Sequence, residues 1–281
     1  MRAGVLRPVL AALPFLAACA GGPGGGTAAP AALAFDVPTT RTVSYAQADT
    51  AVISVDAGGQ MIDIQALSSA IMDMTFAPAD RGVQVTATWR ELEGTVTNPM
   101  GPAERVSTED VEGSLVFTLD RRGAAEMVSA PTLKGNAANM VAMSDVVHGF
   151  FPRLPGGAPT DGMTWTDTIA YEAEEAAGPV VARSIVTYTV AGDTVVDGRT
   201  LLKVELTGDD SRTQEGVTSG MAFVQDMAGS VRGHFLWDLA AGMLHSQVTL
   251  YDYTGTMEVD AVPFPLDVNM RGVSWVGPAG S

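Results

Sequence analysis

The chain has 281 residues, of which 46% are hydrophobic and only 17% charged, with 32 acidic against 16 basic side chains and a single cysteine. A formal charge of −16 argues against nucleic acid and anionic lipid surfaces as electrostatic partners. One cysteine rules out an internal disulfide framework, so stability has to come from a core.

At the amino end Arg2 and Arg7 form a positive region, Val9 to Leu16 a brief apolar one, and Ala17 and Ala18 are the small residues that signal cleavage needs. The apolar run is much shorter than the roughly 20 residues that span a bilayer, and Pro14 interrupts it. Leu16-Ala17-Ala18-Cys19 resembles the lipobox of bacterial lipoproteins at all four positions. The resemblance implies cleavage between Ala18 and Cys19, a diacylglyceryl group on the Cys19 thiol and membrane attachment through that anchor, with 1–18 as the signal peptide. It further implies, from Ala20 in place of aspartate, the periplasmic face of the outer membrane. Two or three acyl chains suffice for durable anchoring, each buried methylene being worth ~0.8 kcal/mol.

Residues 19–34 read as a lipidated flexible tether, since Ala20 to Ala34 is mostly Ala, Gly and Pro with little to bury. Such a segment spans roughly 20 Å. Without Arg2 and Arg7, 14 basic residues face 32 acidic ones, a charge of −18 on the mature chain. Residues 35–281 then form one domain, long enough to bury a sizeable core.

Within it, alternation with period two recurs. Val83, Val85, Ala87 and Trp89 alternate with Gln84, Thr86 and Thr88, and Ser114–Leu119, Ser184–Val190, Leu202–Leu206, His234–Trp237 and Gln247–Tyr253 repeat the pattern. Ala70, Met72, Met74 and Phe76 also alternate, and that stretch is assigned to strand although Ile64, Leu67, Ile71 and Met74 fall at helical steps. Turn sequences at Pro78–Gly82, Arg121–Gly123, Val196–Gly198 and Ala240–Gly242 join consecutive strands into hairpins. The expectation is a mainly β fold, an antiparallel meander of about ten to thirteen strands.

One segment breaks the pattern. Leu133, Ala137, Met140, Ser144, Val147 and Phe151 recur at steps of four and three, predicting one helix over about 131–151 that ends at Pro152 and a Gly/Pro-rich loop. A large sheet cannot leave its apolar face in water, so it must curve into a half-barrel or fold over, with this helix packed against it. Two related halves, 35–130 and 163–275, are one reading of Leu115–Asp120 with Gly123 beside Phe235–Asp238 with Gly242; chance similarity of hairpins is the other.

A lipobox, a long meander and one helix together are similar in architecture to bacterial lipoprotein-carrier and lipid-binding envelope proteins, whose half-barrel encloses an acyl chain. Phe151-Pro152-Arg153-Leu154-Pro155 leading to Gly162-Met163-Thr164-Trp165 resembles a pattern of uncharacterised bacterial lipoproteins. A candidate apolar pocket is drawn from Met140, Met143, Phe150, Phe151, Trp165 and Trp237, since flexible thioethers and large aromatics line such pockets as readily as they fill cores.

Chemistry-bearing residues are sparse. His148, His234 and His245 are the only imidazoles, and two histidines across a hairpin fall short of the three or four ligands that zinc takes. Ser219 lacks the Gly-x-Ser-x-Gly elbow, and the acidic groups at Glu109–Glu112, Glu172–Glu175 and Asp209–Asp210 lack calcium-loop spacing. The expectation is a non-enzymatic envelope lipoprotein without metal or cofactor, which binds or carries a hydrophobic ligand. The alternative is an envelope scaffold with no small-molecule ligand, presenting its surface to a protein partner. A dry cavity of at least ~300 Å³ beneath the helix favours the first, and interior packing near ~0.74 favours the second.

Overall fold

A computed structural model describes residues 31–80, 82–218, 220–260 and 262–280. The first half contains β1 (Arg41–Asp56), β2 (Met61–Ala79), β3 (Gly82–Thr97), β4 (Glu104–Ser107), β5 (Val111–Glu112), β6 (Leu115–Leu119), β7 (Ala125–Ser129) and β8 (Thr132–Leu133). Two short helices follow, α1 (Ala137–Met140) and α2 (Met143–Gly149). The second half is a run of long strands: β9 (Thr164–Glu175), β10 (Gly178–Val196), β11 (Arg199–Thr218), β12 (Met221–Asp238), β13 (Met243–Val259) and β14 (Leu266–Pro278).

Apart from β5 and β8, which pair with each other in a small second sheet, these strands form one antiparallel sheet in the order β7-β6-β3-β2-β1-β14-β13-β12-β11-β10-β9, with β4 paired to β3 beside that path. The first and last long strands, β1 and β14, pair over Tyr45–Asp56, so the two halves of the chain share one sheet. The sheet curls into an open half-barrel. Side chains of one parity point inward and are buried or half-buried, and those of the other parity are largely exposed, as the period-two sequence requires.

Register puts all the hairpin ends at one pole or the other. At the closed pole lie Tyr45, Phe76, Val85, Phe117, Phe235 and Trp237, all within one hydrophobic core. The core takes in the start of the described chain, since Leu33, Ala34 and Phe35 are at most 1% exposed. Leu33 N donates to Gly157 O and Gly156 N to Leu33 O, which threads this segment across the base of the barrel. At the opposite pole, the mouth, lie the C-terminal ends of β1, β3, β9, β11 and β13.

The helical region is shorter than the sequence pattern predicts and is broken. Thr132 and Leu133 pair instead with Glu112 and Val111, and Gly135 adopts φ 53°, a left-handed turn that delays the helix to Ala137. Val141 and Ala142 are extended, with ψ 105° and 106°, which separates α1 from α2. The expected inward face survives the break, because Ala137, Ser144, Val147 and Phe151 are all buried. α2 touches both β7 and β9, the two free edges of the sheet, and so fills the seam between them.

The loop after α2 continues this closure. Arg122 Nε donates to Leu154 O at 3.1 Å, Leu154 N to Arg122 O at 2.8 Å, and the Arg153 guanidinium to Gly123 O. On the other edge Trp165 Nε1 donates to Arg153 O at 3.1 Å, and Arg122 pairs with Asp167 at 3.0 Å. Arg153 is only 7% exposed, and this burial pulls its guanidinium below the ordinary arginine range.

Candidate functional site

The six residues expected to line an apolar pocket all belong to one hydrophobic core or pack against it, around α2 and the closed pole. Phe151 sits among Phe35, Tyr45, Phe76, Phe117 and Phe150 at ring separations of 4.9 to 6.3 Å. Trp237 is fully buried against Phe35, Met143 and Phe150 are nearly so, and Trp165 stacks on Tyr188 at 5.1 Å while Met140 packs at the core's edge. This geometry is a filled core. Two surface depressions lie elsewhere: one of about 370 Å³ at the mouth between Phe223 and Phe264, and one of about 400 Å³ at the closed pole beside Phe35 and Arg121.

Beyond the core the same inward face continues along the strands towards the mouth, where α2 reaches it only from the β9 side, through Asp145, Ser144 and His148. Register defines its rows. Tyr253 stands opposite Met270, Met270 opposite Ile53, and Ile53 opposite Ile64. Going the other way, Tyr253 stands opposite Gly229, Gly229 opposite Asp210, and Asp210 opposite Ser184. The next row mouthward has Val268, Val55 and Ile62 on the first side, and Met227, Arg212, Ala182 and Tyr171 on the second. The groove is therefore amphipathic, with an aliphatic wall from β14, β1 and β2 and a more polar wall from β12 to β9.

The polar wall is tied together by hydrogen bonds. Tyr253 Oη donates to Asp210 Oδ2 at 2.6 Å, and Arg212 Nη1 donates to both oxygens of Asp145 on α2 at 2.7 and 2.8 Å. Tyr171 Oη also donates to Asp145, and Ser144 donates its hydroxyl and, at 3.0 Å, its backbone N–H to Glu175. Burial raises the hydroxyl pKa values of Tyr253 and Tyr171, and the facing carboxylates of Asp210 and Asp145 add to the shift. Burial disfavours the Arg212 charge, but Asp145 outweighs it and holds the guanidinium above the ordinary arginine range.

Glycines open room on the groove floor. A Cβ at Gly272 would collide with the Tyr251 hydroxyl, and one at Gly229 would come within 2.5 Å of Tyr253 Cδ1. The two rings lie across these gaps and stack at 5.6 Å with 26° between planes.

The histidines do not converge. His234 lies on the opposite face from Phe235 and stands across from Val248, while His245 is the extra residue of a bulge between Leu244 and Ser246. His148, on α2, stacks on Tyr171 at 4.3 Å. Among the described residues no group of three or more His, Cys, Asp or Glu is poised to hold a metal. Several acidic residues of the sequence clusters have protein partners: Glu112 pairs with Lys134 at 2.7 Å, Asp110 caps Ser107, and Glu175 and Asp210 join the groove wall. Ala18, Cys19 and Ser219 lie outside the described residues. Among the described residues, no helix is long and apolar enough to cross a membrane.

Sequence reading passed over Tyr251, Tyr253 and Arg212 as site residues and met Asp210 only as part of an acidic group without calcium-loop spacing. The signal available was two i, i+2 pairs of polar or aromatic residues on strands with glycines at 208, 229, 233, 255 and 272, each placing both members on one face.

No family model and no curated protein matches the chain. Two solved structures overlap it at low similarity. The β domain of the Bordetella autotransporter BrkA aligns with a TM-score of 0.24 and 8% identity over 84% of this chain and 98% of that one. A DUF1329 family protein from Desulfovibrio piger aligns with a TM-score of 0.17 and 12% identity over 84% of this chain and 86% of that one.

Proposed function

We propose that the protein is a lipid-anchored, non-enzymatic component of the bacterial cell envelope that binds or carries a hydrophobic ligand in the open half of its barrel. The observation that carries this reading is the uncovered inward face beyond the core. Ile53, Val55, Ile62, Ile64 and Met270 there are half-exposed although their parity is that of buried Tyr45 and Met72. Aliphatic residues left partly wet on a concave wall gain roughly 25 cal/mol for each Å² that a bound apolar chain removes from water. The lipobox supplies the anchor, and Leu33 and Phe35, the first core residues after it in sequence, are buried at the closed pole, away from the mouth.

The test is native mass spectrometry with lipid extraction on the protein purified from its own envelope. A co-purifying lipid at near-stoichiometric amount is the expected result, and a clean apo mass with no uptake of added lipids overturns the reading. For the anchor, metabolic labelling with radioactive palmitate is expected to mark the wild-type chain and to leave Cys19→Ala unmarked.

The alternative, a scaffold that meets a protein partner, rests on a different observation. Apolar side chains crowd the mouth loops, with Met100 70%, Met61 57% and Phe264 43% exposed. Cross-linking from position 100 or 264 to a defined envelope protein, together with an apo groove, is the result that reading requires.

A further inference from the structure

We infer that the groove selects amphiphiles by the charge of their polar end, and that it takes a positively charged ammonium head against Tyr251 and Tyr253. The inference rests on the carrier reading above and adds the chemical class of the ligand. Its first support is the aromatic surface. The two rings are stacked, half-buried and fixed by the glycine gaps beneath them, so they present π density to the groove without an ordering cost on binding. Aromatic faces attract ammonium groups, with an advantage that grows as the site is desolvated.

The second support is the balance of charge around those rings. Asp210, bonded to Tyr253 through Oδ2, buries its Oδ1 with no hydrogen-bond partner. Such a buried, uncompensated negative charge favours a positive group held in the groove beside it. On the other side of the ring pair Asp49, which lies in the row beside Ser68 and Ser274, accepts from Gln47 at 2.8 Å and Ser68 at 3.2 Å and forms no ion pair among the described residues. The cation nearest on this wall, Arg212, is engaged by both oxygens of Asp145. An anionic head would therefore meet two carboxylates with no free guanidinium to offset them.

The third support is the place of the rings between the walls. Tyr253 begins the aliphatic row Met270–Ile53–Ile64 on one side and the polar row ending at Asp210 and Ser184 on the other. A ligand with an ammonium head on the tyrosines can lay its chain along Met270, Ile53 and Val55 towards the mouth. The expected bound orientation is head inward and tail outward.

Three ten-carbon amphiphiles, used below their micelle concentrations with the full-length protein, test this: decyltrimethylammonium, decyl maltoside and decyl sulfate. Isothermal titration is expected to give roughly tenfold tighter binding for the ammonium than for the maltoside, and weaker binding still for the sulfate. Asp210→Asn and Asp49→Asn, which keep side-chain shape, are expected to bring the ammonium-to-maltoside ratio towards one. Nuclear Overhauser contacts from the N-methyl protons to the Tyr251 and Tyr253 rings are expected in the wild type, a readout that does not depend on any variant folding. Sulfate binding as tight as ammonium binding, an unchanged ratio in both variants, or N-methyl contacts elsewhere would overturn the head assignment alone. Binding of none of the three overturns the carrier reading and this inference with it.

Discussion

Along β1 the inward-facing side chain changes from Tyr45, 1% exposed among Phe150, Phe151 and Met72, to Ile53 and Val55, half-exposed eight and ten residues further on. The strand, its parity and its neighbours in the sheet are continuous between these points. The difference is what fills the inside of the curve. At the closed pole the Leu33–Val37 segment, α2 and the Phe150–Leu154 loop supply a second layer, as every sheet with an apolar face requires. Towards the mouth α2 reaches only the polar wall, through Asp145 and Ser144, and Ile53, Val55, Ile62 and Ile64 stay partly exposed. Burial at one pole thus goes to stability, and the partly exposed face at the other is where the proposed ligand would lie.

The strongest way to break that comparison is to truncate one residue from each region. Phe151→Ala removes the ring at the centre of the aromatic cluster and is expected to cost about 3–5 kcal/mol, read as a lowered urea midpoint at unchanged slope. Ile64→Ala, on the aliphatic wall, is expected to cost less than Phe151→Ala and to weaken decyl maltoside uptake, since its side chain is already partly in water. Equal destabilisation by the two changes would show that the mouth half is ordinary core.

A smaller effect sharpens the closed pole. Tyr45 Oη donates to Leu244 O at 2.7 Å in a fully buried setting, and burial raises its hydroxyl pKa despite the charge of Arg41. Tyr45→Phe keeps the ring contacts and strands that carbonyl, so a loss of about 1–2 kcal/mol is expected, with amphiphile binding unaffected. A neutral outcome would mean that water reaches the closed pole.

The sequence displays one of these regions better than the other, for a physical reason. Period-two alternation is imposed wherever one sheet face is buried, so the strands, their hairpins and the inward set from Val83 to Trp89 were legible directly. The helix was legible as a face, through Ala137, Ser144, Val147 and Phe151, but its length was not, because Gly135 and the Val141–Ala142 break are decided by tertiary pairing. Pairing of β1 with β14 links residues more than 200 apart in sequence, which no local pattern encodes. The candidate pocket aromatics were legible as apolar anchors, yet nothing in Phe151 or Trp237 distinguishes a residue that lines a cavity from one that fills it. Tyr251, Tyr253 and Asp210 meet only through cross-strand register, and a single strand shows them as an unremarkable alternation.

The seam between the two regions gives the weaker effects. Arg212 and Asp145 hold α2 to the polar wall, but their side chains are 30% and 47% exposed, so the pair is screened. Arg212→Met is expected to cost under about 1 kcal/mol in global stability. Its clearer sign is local, as faster amide exchange across Met143–Gly149 with exchange at Phe235 and Trp237 unchanged. Uniform acceleration at both sites would show that the seam is part of the core's cooperative unit.

The smallest expected effect concerns His148, stacked on Tyr171 at that seam. Burial lowers its pKa below the ordinary 6.5, the Arg153 charge lowers it further, and Asp145 opposes both. The native state therefore favours neutral imidazole, while the unfolded chain takes up its proton near 6.5. Between those two values the unfolded state holds more protons, so stability falls as pH drops from 6.5 through the lower folded value, and below it the loss is complete. His148→Gln cannot take the proton, and its stability relative to the wild type is expected to improve on going from pH 7.5 to pH 5. Carboxylates titrate alike in both chains, so the difference between their denaturation midpoints isolates the imidazole. A midpoint difference that stays constant over that range would mean that His148 is as free to protonate in the folded seam as in the unfolded chain, and that the seam opens to water as readily as the mouth.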